Sequence, residues 1–415
     1  MMNLKDLVVI FYITAFLFSF FNLIPAYPIF IVFGILFLIL YIFFPDKIYI
    51  SRTNKLLYII GYFYLISAII TGIPFSKFFS YENFRHDGNF YITYMPLFIP
   101  ILTTNFKSKI NYYNLIIKVY KIISLITLGL TFSFLAKKPI GISDGDIYHY
   151  LFKAHNAAGG YYLMLSVFGL IYLIHNKSLF NLFYFLSNLA ALYFSKSRGS
   201  QLAFIWVIGL IVINYSFKSG KLKKIYYIIT IIGAITIILT AYYLSTEHGI
   251  YNLSTQNTEI MDLNDPNRTA NISDRLFILW PRAINDFLKS PILGIGFTRY
   301  NDFPYMFEGI RGLLYFNTSR VIFSDAHAHN SYLHVLAETG IIGFIFFIFL
   351  IKEMFFISKK IPDKFFSNYV YYSIFAILIA GLTEHRVYTP AQVMPFTILV
   401  EVIIYMYYNK IYLED

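Results

Sequence analysis

Apolar runs of about twenty residues, separated by short polar turns, follow one another along most of this chain. They lie near residues 5–24, 26–44, 56–73, 115–136, 157–175, 178–194, 200–216, 225–244, 331–351, 366–384 and 390–407. As a helix rising 1.5 Å per residue, each is long enough to cross a hydrocarbon core of about 30 Å. A shorter run near 90–105, interrupted by Pro96 and Pro100, completes the series. The pattern predicts an all-α polytopic membrane protein with about twelve transmembrane helices. The first run lacks a small-residue cleavage site and is read as a retained span, not a signal peptide.

The polar segments between the runs set an orientation. One set holds Lys47, Arg52 and Lys55, then Lys107 and Lys109, then Lys218, Lys221, Lys223 and Lys224, then Lys359, Lys360 and Lys364. Basic residues in short loops mark the cytoplasmic side. Counting the 90–105 run puts all of these clusters on that side, with both termini; leaving it out splits them. The long hydrophilic stretch, 245–330, then lies outside, between the ninth and tenth helices. Three parts follow: transmembrane helices 1–9 in 1–244, a large outer (periplasmic) loop in 245–330, and helices 10–12 in 331–415. Within the loop, 245–273 is rich in Asn, Thr, Ser and Asp and reads as a flexible or glycan-facing segment. Residues 274–300 carry apolar positions at helical spacing, then Ser290, Pro291, Gly294 and Gly296, which predicts a short helix closed by a turn.

Composition sharpens the class. Of the 415 residues 58% are hydrophobic, 20% aromatic and 13% charged, whereas soluble domains carry roughly 25% charged residues. The net charge of +11 is spread over the short loops, without a basic stripe interleaved with aromatics, so nucleic acid is not an expected partner. The absence of cysteine rules out disulfides, thiolate catalysis and Cys-based metal sites.

Chemistry concentrates in residues 327–344, HAHNSYLHVLAETGIIGF. His329 and Asn330 stand at the outer mouth of a span, with Gly340 and Gly343 inside it. At 100° per residue His329, Leu336 and Gly340 share a face and Gly343 is close to it. Glycines on such a face admit a neighbouring helix, which would hold the imidazole in place. An imidazole at a membrane surface can be neutral and take a proton from a hydroxyl. His327 and His334 are read as structural. His329 and His334 diverge by about 140° around a helix, so no metal or other cofactor is expected.

These residues resemble the O-antigen ligases and the related O-antigen polymerases. The ligase signature is His, then Asn, Ser or Gln, nine residues, Gly, two residues, and Gly, Thr or Tyr, and His329, Asn330, Gly340 and Gly343 match it throughout. Arg198, in the small polar turn SKSRGSQLAF, and Arg275, ahead of a Trp and a Pro–Gly turn, match two further features of the family. The motifs fall in about 150–350; the first 150 residues match as a series of spans. The resemblance implies a metal-independent, inverting membrane glycosyltransferase. Its donor is a glycan on a polyprenyl diphosphate, and its acceptor is a lipid A-core sugar for a ligase or another lipid-linked repeat for a polymerase. It implies His329 as the base, Arg198 and Arg275 on the diphosphate, and Asn330 beside the substrate. Its place is the inner membrane, with the site on the outer face. Arg282, one helical step from Arg275, is a further candidate phosphate contact.

Other polar residues have plainer readings. His155 and Asn156, in the small-residue stretch AHNAAGGYY, read as packing residues, and Glu338, inside a span, equally as a functional carboxylate or a helix–helix hydrogen bond. Glu384, His385 and Arg386 form a polar cluster at the outer end of a span, within reach of an acceptor. Two other functions share the many-span plan. A transporter or flippase would show repeated halves and ionisable residues near the midplane, whereas the polar residues here gather at the outer mouth. A peptidoglycan polymerase of the shape, elongation and division type would lack the His–Asn and double-glycine signature.

Overall fold

A computed structural model of the chain describes residues 6, 9–10, 13, 26–45, 48–72, 89–100, 110–218, 275, 279–300, 305–307, 321–323, 327–361 and 363–408. Most of the 5–24 run, the 225–244 run, the polar stretch 245–273 and both chain ends lie outside the described residues. The described part is mostly helical: α1 (Ala26–Phe43), α2 (Arg52–Ile70), α3 (Asn89–Thr93), α4 (Met95–Phe98), α5 (Tyr112–Leu135), α6 (His155–His175), α7 (Leu179–Phe194), α8 (Arg198–Lys218), α9 (Trp280–Lys289), α10 (Ser331–Lys360), α11 (Lys364–Ala380) and α12 (Pro390–Tyr408). Two antiparallel hairpins, β1–β2 (Ile142–Asp144 with Ile147–Tyr150) and β3–β4 (Tyr305–Phe307 with Val321–Phe323), add a little sheet. Sequence periodicity had predicted neither.

Four of the described helices, α2, α5, α6 and α10, are long and apolar enough to cross a membrane. Several described helices carry exposed apolar side chains on their outer faces: Ile122, Leu125 and Phe132 on α5, Ile205, Trp206 and Val212 on α8, Ile341, Ile345 and Phe349 on α10. The polar residues sit inside, where Ser124, Thr127, Asn188 and Glu401 are fully buried. Apolar surface outside and hydrogen bonds inside is the pattern a lipid solvent requires. Asn188 Nδ2, for instance, donates to Ser124 Oγ at 2.8 Å and ties α7 to α5. The described part of the 90–105 run is two short buried helices, α3 and α4, with Pro96 in the second. Asn54 Nδ2 donates to the Leu97 carbonyl at 2.6 Å, and Thr397 Oγ1 to that of Thr93 at 2.9 Å, where the broken helix leaves carbonyls unpaired.

The two ends of the bundle differ. Arg52 at the start of α2 pairs with Glu353 near the end of α10 at 3.3 Å, and Lys360 lines the same cavity. The starts of α6, α8 and α10 and the end of α11 meet at the other end, around His329.

Gly340 breaks α10. Its φ of 61° and ψ of −165° interrupt the helix, and the amides of Ile341 and Ile342 turn to the carbonyls of Pro291 (2.9 Å) and Ile292 (3.3 Å). The carbonyls of Ala337 and Glu338, which those amides would have used in a continuous helix, accept instead from Ile295 N and Gly296 N, both at 3.0 Å. Residues 291–296 are therefore inserted into the break and give partners to four of the backbone groups freed by it. The expectation that Gly340 admits a neighbouring helix is corrected: it admits this turn, because a Cβ there would collide with the Ile292 carbonyl. Gly343 does face a helix, through Phe63 of α2.

Gly340→Ala should therefore combine a left-handed φ with a collision against backbone, costing at least about 2 kcal/mol. Thermal unfolding in detergent should show a clearly lowered Tm; an unchanged Tm would mean that the inserted turn adds little.

Candidate functional site

The site grows from the start of α10. His329 has φ 47°, a conformation uncommon outside glycine. It is held there by the two residues that follow. Asn330 caps α10: its Oδ1 accepts from Tyr332 N at 3.0 Å and Leu333 N at 3.1 Å, while its Nδ2 donates to the Leu382 carbonyl at 3.2 Å. Ser331 N donates to the Gly381 carbonyl at 2.8 Å, and Ser331 Oγ accepts from Arg386 N at 2.8 Å. The His–Asn–Ser sequence is thus clamped to the loop that follows α11, and that loop supplies Glu384.

Glu384 is the centre of the arrangement. Its Oε2 lies 2.9 Å from His329 Nδ1, and its Oε1 accepts from Arg275 Nη2 at 2.7 Å and from Asn156 Nδ2 at 3.3 Å. Burial alone would raise the Glu384 pKa. The hydrogen bond from His329 and the charges of His329, Arg386 and His327 outweigh that and bring it down to about 2. An ionised carboxylate only accepts hydrogen bonds, so His329 Nδ1 carries a proton. Arg275 and His329 are both partly open, at 19% and 14% side-chain exposure, so the pair lies at the surface of the site.

A second layer positions this one. Arg386 is buried and spans from the Asn156 carbonyl (Nη1, 2.6 Å) to Ser197 Oγ (Nη2, 3.2 Å). Ser197 also donates to Asn156 Oδ1 at 3.2 Å. Gly159 faces Ser197 and Gly199 faces Thr383 so closely that a Cβ on either would collide. Arg198, first residue of α8, is embedded by its neighbours in this cluster, while its own side chain is exposed and makes no hydrogen bond among the described residues. His385 is buried against His334 (ring centroids 4.1 Å) and Tyr388 (4.8 Å). Both of its ring nitrogens, and the Nε atoms of Arg275 and Arg386, have no hydrogen-bond partner among the described residues.

Of the residues singled out from sequence, His329 and Arg275 meet on one carboxylate and Arg198 begins the adjoining helix. Two are placed differently. Asn330 was expected beside the substrate, but its side chain is spent on capping α10 and on Leu382. Arg282 was expected on a phosphate, but it is fully buried: Nη2 donates to the Tyr300 carbonyl at 2.7 Å and the guanidinium lies 4.2 Å from the Tyr300 ring centroid. The helical step from Arg275 did not reveal that Arg282 faces inward, toward α10. Glu338, on the same side of α10, accepts from Tyr300 N at 3.2 Å. Conversely, Glu384, Arg386 and Asn156 belong to the assembly more closely than the sequence reading gave them. The signal was a Glu–His–Arg triplet at the end of a span in a chain poor in charge.

Residues 182–348 match the family model described as O-antigen ligase. The match spans Arg198, Arg275, His329 and the two glycines, shows over that span the family that the His329 motif resembles, and supports a membrane enzyme of the O-antigen ligase or polymerase type. It ends before Glu384. No curated protein matches the chain.

Burial, with the charges of His334, His327 and His329 adding to it, holds the His385 pKa well below 6.5. Unfolding would let that imidazole take up a proton at any pH below about 6.5, so stability falls as pH drops through that value. The Tm of the wild type should decline between about pH 7 and pH 5, and His385→Gln should flatten the decline. An equal slope in both would assign it to another group.

Proposed function

We propose that this protein is a membrane glycosyltransferase that moves a glycan from a polyprenyl diphosphate to an acceptor hydroxyl at the outer face of the inner membrane. The observation that carries the reading is the convergence of His329 and Arg275 on Glu384, inside the mouth formed by α6, α8, α10 and α11. Proton acceptor and anion-binding cation are the two parts that transfer from a diphosphate requires.

In this mechanism Arg275 and Arg198 bind the diphosphate and stabilise the charge that develops on it. Nδ1 of His329 stays on Glu384, so Nε2 takes the acceptor proton. The acceptor oxygen attacks the anomeric carbon from the side opposite the diphosphate. The carbon–oxygen bond to phosphate breaks, its electron pair leaves with the diphosphate, and configuration inverts. The arginines do the work a metal would do on the leaving group, so chelators should leave the rate unchanged. About twelve spans, with 1–244 and 331–415 as the membrane body, 245–330 as the outer loop and both termini cytoplasmic, put this site on the outer side. The ligase form, with lipid A-core as acceptor, is the favoured one. A polymerase would use the same base and cation on a lipid-linked repeat, and surface glycan from a deletion strain separates the two. Loss of all glycan from the core means ligase; a core carrying one repeat means polymerase.

His329→Ala should lower transfer by about 10²–10⁴-fold while the protein stays inserted and folded; near-normal turnover would remove His329 as the base. Arg198→Lys and Arg275→Lys should each lose most activity although charge is kept, because a point charge does not replace a planar fork on two phosphate oxygens. Full activity in either would reduce that arginine to a headgroup anchor. A cysteine at position 257 should react with an impermeant maleimide in intact cells once any outer membrane is permeabilised. Labelling seen only after lysis would overturn the topology.

A further inference from the structure

Glu384 lies outside the span that the family model matches, and it has two claims on it. One oxygen is taken by Arg275 at 2.7 Å and the other by His329 at 2.9 Å. The two partners oppose each other. The positive charge of Arg275 cancels part of the field that Glu384 exerts on the imidazole, and Glu384 competes with any incoming anion for the guanidinium. Arg275 nevertheless has capacity to spare, since its buried Nε is without a partner among the described residues. A diphosphate carries more charge than a carboxylate and can accept from Nε and Nη2 together as a fork.

The other charged and titratable groups around His329 are committed. His327, on its own loop, packs edge-on against His329 at 4.4 Å between ring centroids. Arg386 is held by Asn156 and Ser197. His385, whose ring lies 5.8 Å from that of His327, is buried. Arg275 is the charge with a better partner to go to. Resting on the diphosphate-donor reading above, we infer that Glu384 is a positioning residue that holds Arg275 in the empty site and releases it to the donor's diphosphate, leaving its carboxylate to act on His329 without the opposing charge of Arg275.

The release has a functional consequence. Losing a nearby positive charge and gaining the diphosphate's negative one both favour the protonated imidazole, so His329 becomes a stronger base when a donor is in place. The empty enzyme keeps a weaker base, and the acceptor is deprotonated in the presence of the sugar it attacks. Donor binding therefore precedes productive acceptor binding.

The test uses the full chain in lipid nanodiscs with farnesyl diphosphate, an isoprenoid diphosphate without sugar, titrated by calorimetry. Glu384→Gln keeps the shape of the side chain and its hydrogen bond to His329 but no longer holds Arg275. It should bind farnesyl diphosphate about tenfold more tightly than the wild type while glycan transfer in cells is lost, and Glu384→Asp should restore part of the transfer. Arg275→Gln should weaken binding, and in the double variant the gain from Glu384→Gln should disappear. A merely structural Glu384 would lower affinity and transfer together. Equal or weaker binding in a Glu384→Gln protein that elutes as a single species, or a gain that persists without Arg275, overturns the release while leaving the donor reading intact. A wild type that does not bind farnesyl diphosphate overturns both.

Discussion

The site depends on four backbone hydrogen bonds at the break in α10. In lipid an interrupted helix is tolerated only if the freed amides and carbonyls find partners, and here residues 291–296 supply them to two amides and two carbonyls. Through that insertion the outer segment that contains α9, with Arg275 upstream of it, is joined to the helix whose first turn presents His329. Within that segment Arg282 is held on Tyr300, and Tyr300 N donates to Glu338 of α10. Gly294 and Gly296, at φ 74° and 113°, let the turn lie against Glu338 and Thr71 without a side chain in the way. Gly340 of the His329 motif therefore serves the arrangement by admitting the turn that ties this outer segment to α10.

On that scaffold a buried carboxylate collects the charges. Burying an ion is costly unless it is paired and hydrogen-bonded, and Glu384 is both, with partners from three parts of the chain. Such a group contributes more to arrangement than to net stability. It fixes the tautomer of His329, aligns Arg275, and reaches α6 through Asn156, while the neighbouring Arg386 continues the network to Ser197 beside Arg198. Residues far apart in sequence are thereby brought to one mouth of the bundle, with lipid-facing helices around it.

The membrane class was legible from the length and spacing of apolar runs, because the lipid constraint acts on each segment by itself. The His329 motif and the two arginines were legible through family resemblance. What escaped the sequence was set by tertiary pairing. Glu384 stands 55 residues from His329 and 109 from Arg275, and a single acid at a span end looks the same whether it caps a helix or holds a base. Asn330 was read as a substrate contact because the motif keeps it beside His329, although the same adjacency makes it the cap of α10. Arg282 was read as a further phosphate contact one helical step from Arg275, because an amphipathic helix of ten residues does not announce which side is covered. Gly340 and Gly343, three apart, follow the spacing of helix packing, and nothing local reveals that a turn from another segment enters at the first of them.

The central claim is that one carboxylate is shared between the base and the cation and gives up the cation when a diphosphate arrives. A cryo-EM structure of the protein with farnesyl diphosphate bound tests it directly. The account predicts the Arg275 guanidinium on the phosphate oxygens and off Glu384, with His329 Nδ1 still on the carboxylate. Arg275 remaining paired with Glu384 while the diphosphate lies on other residues would contradict it.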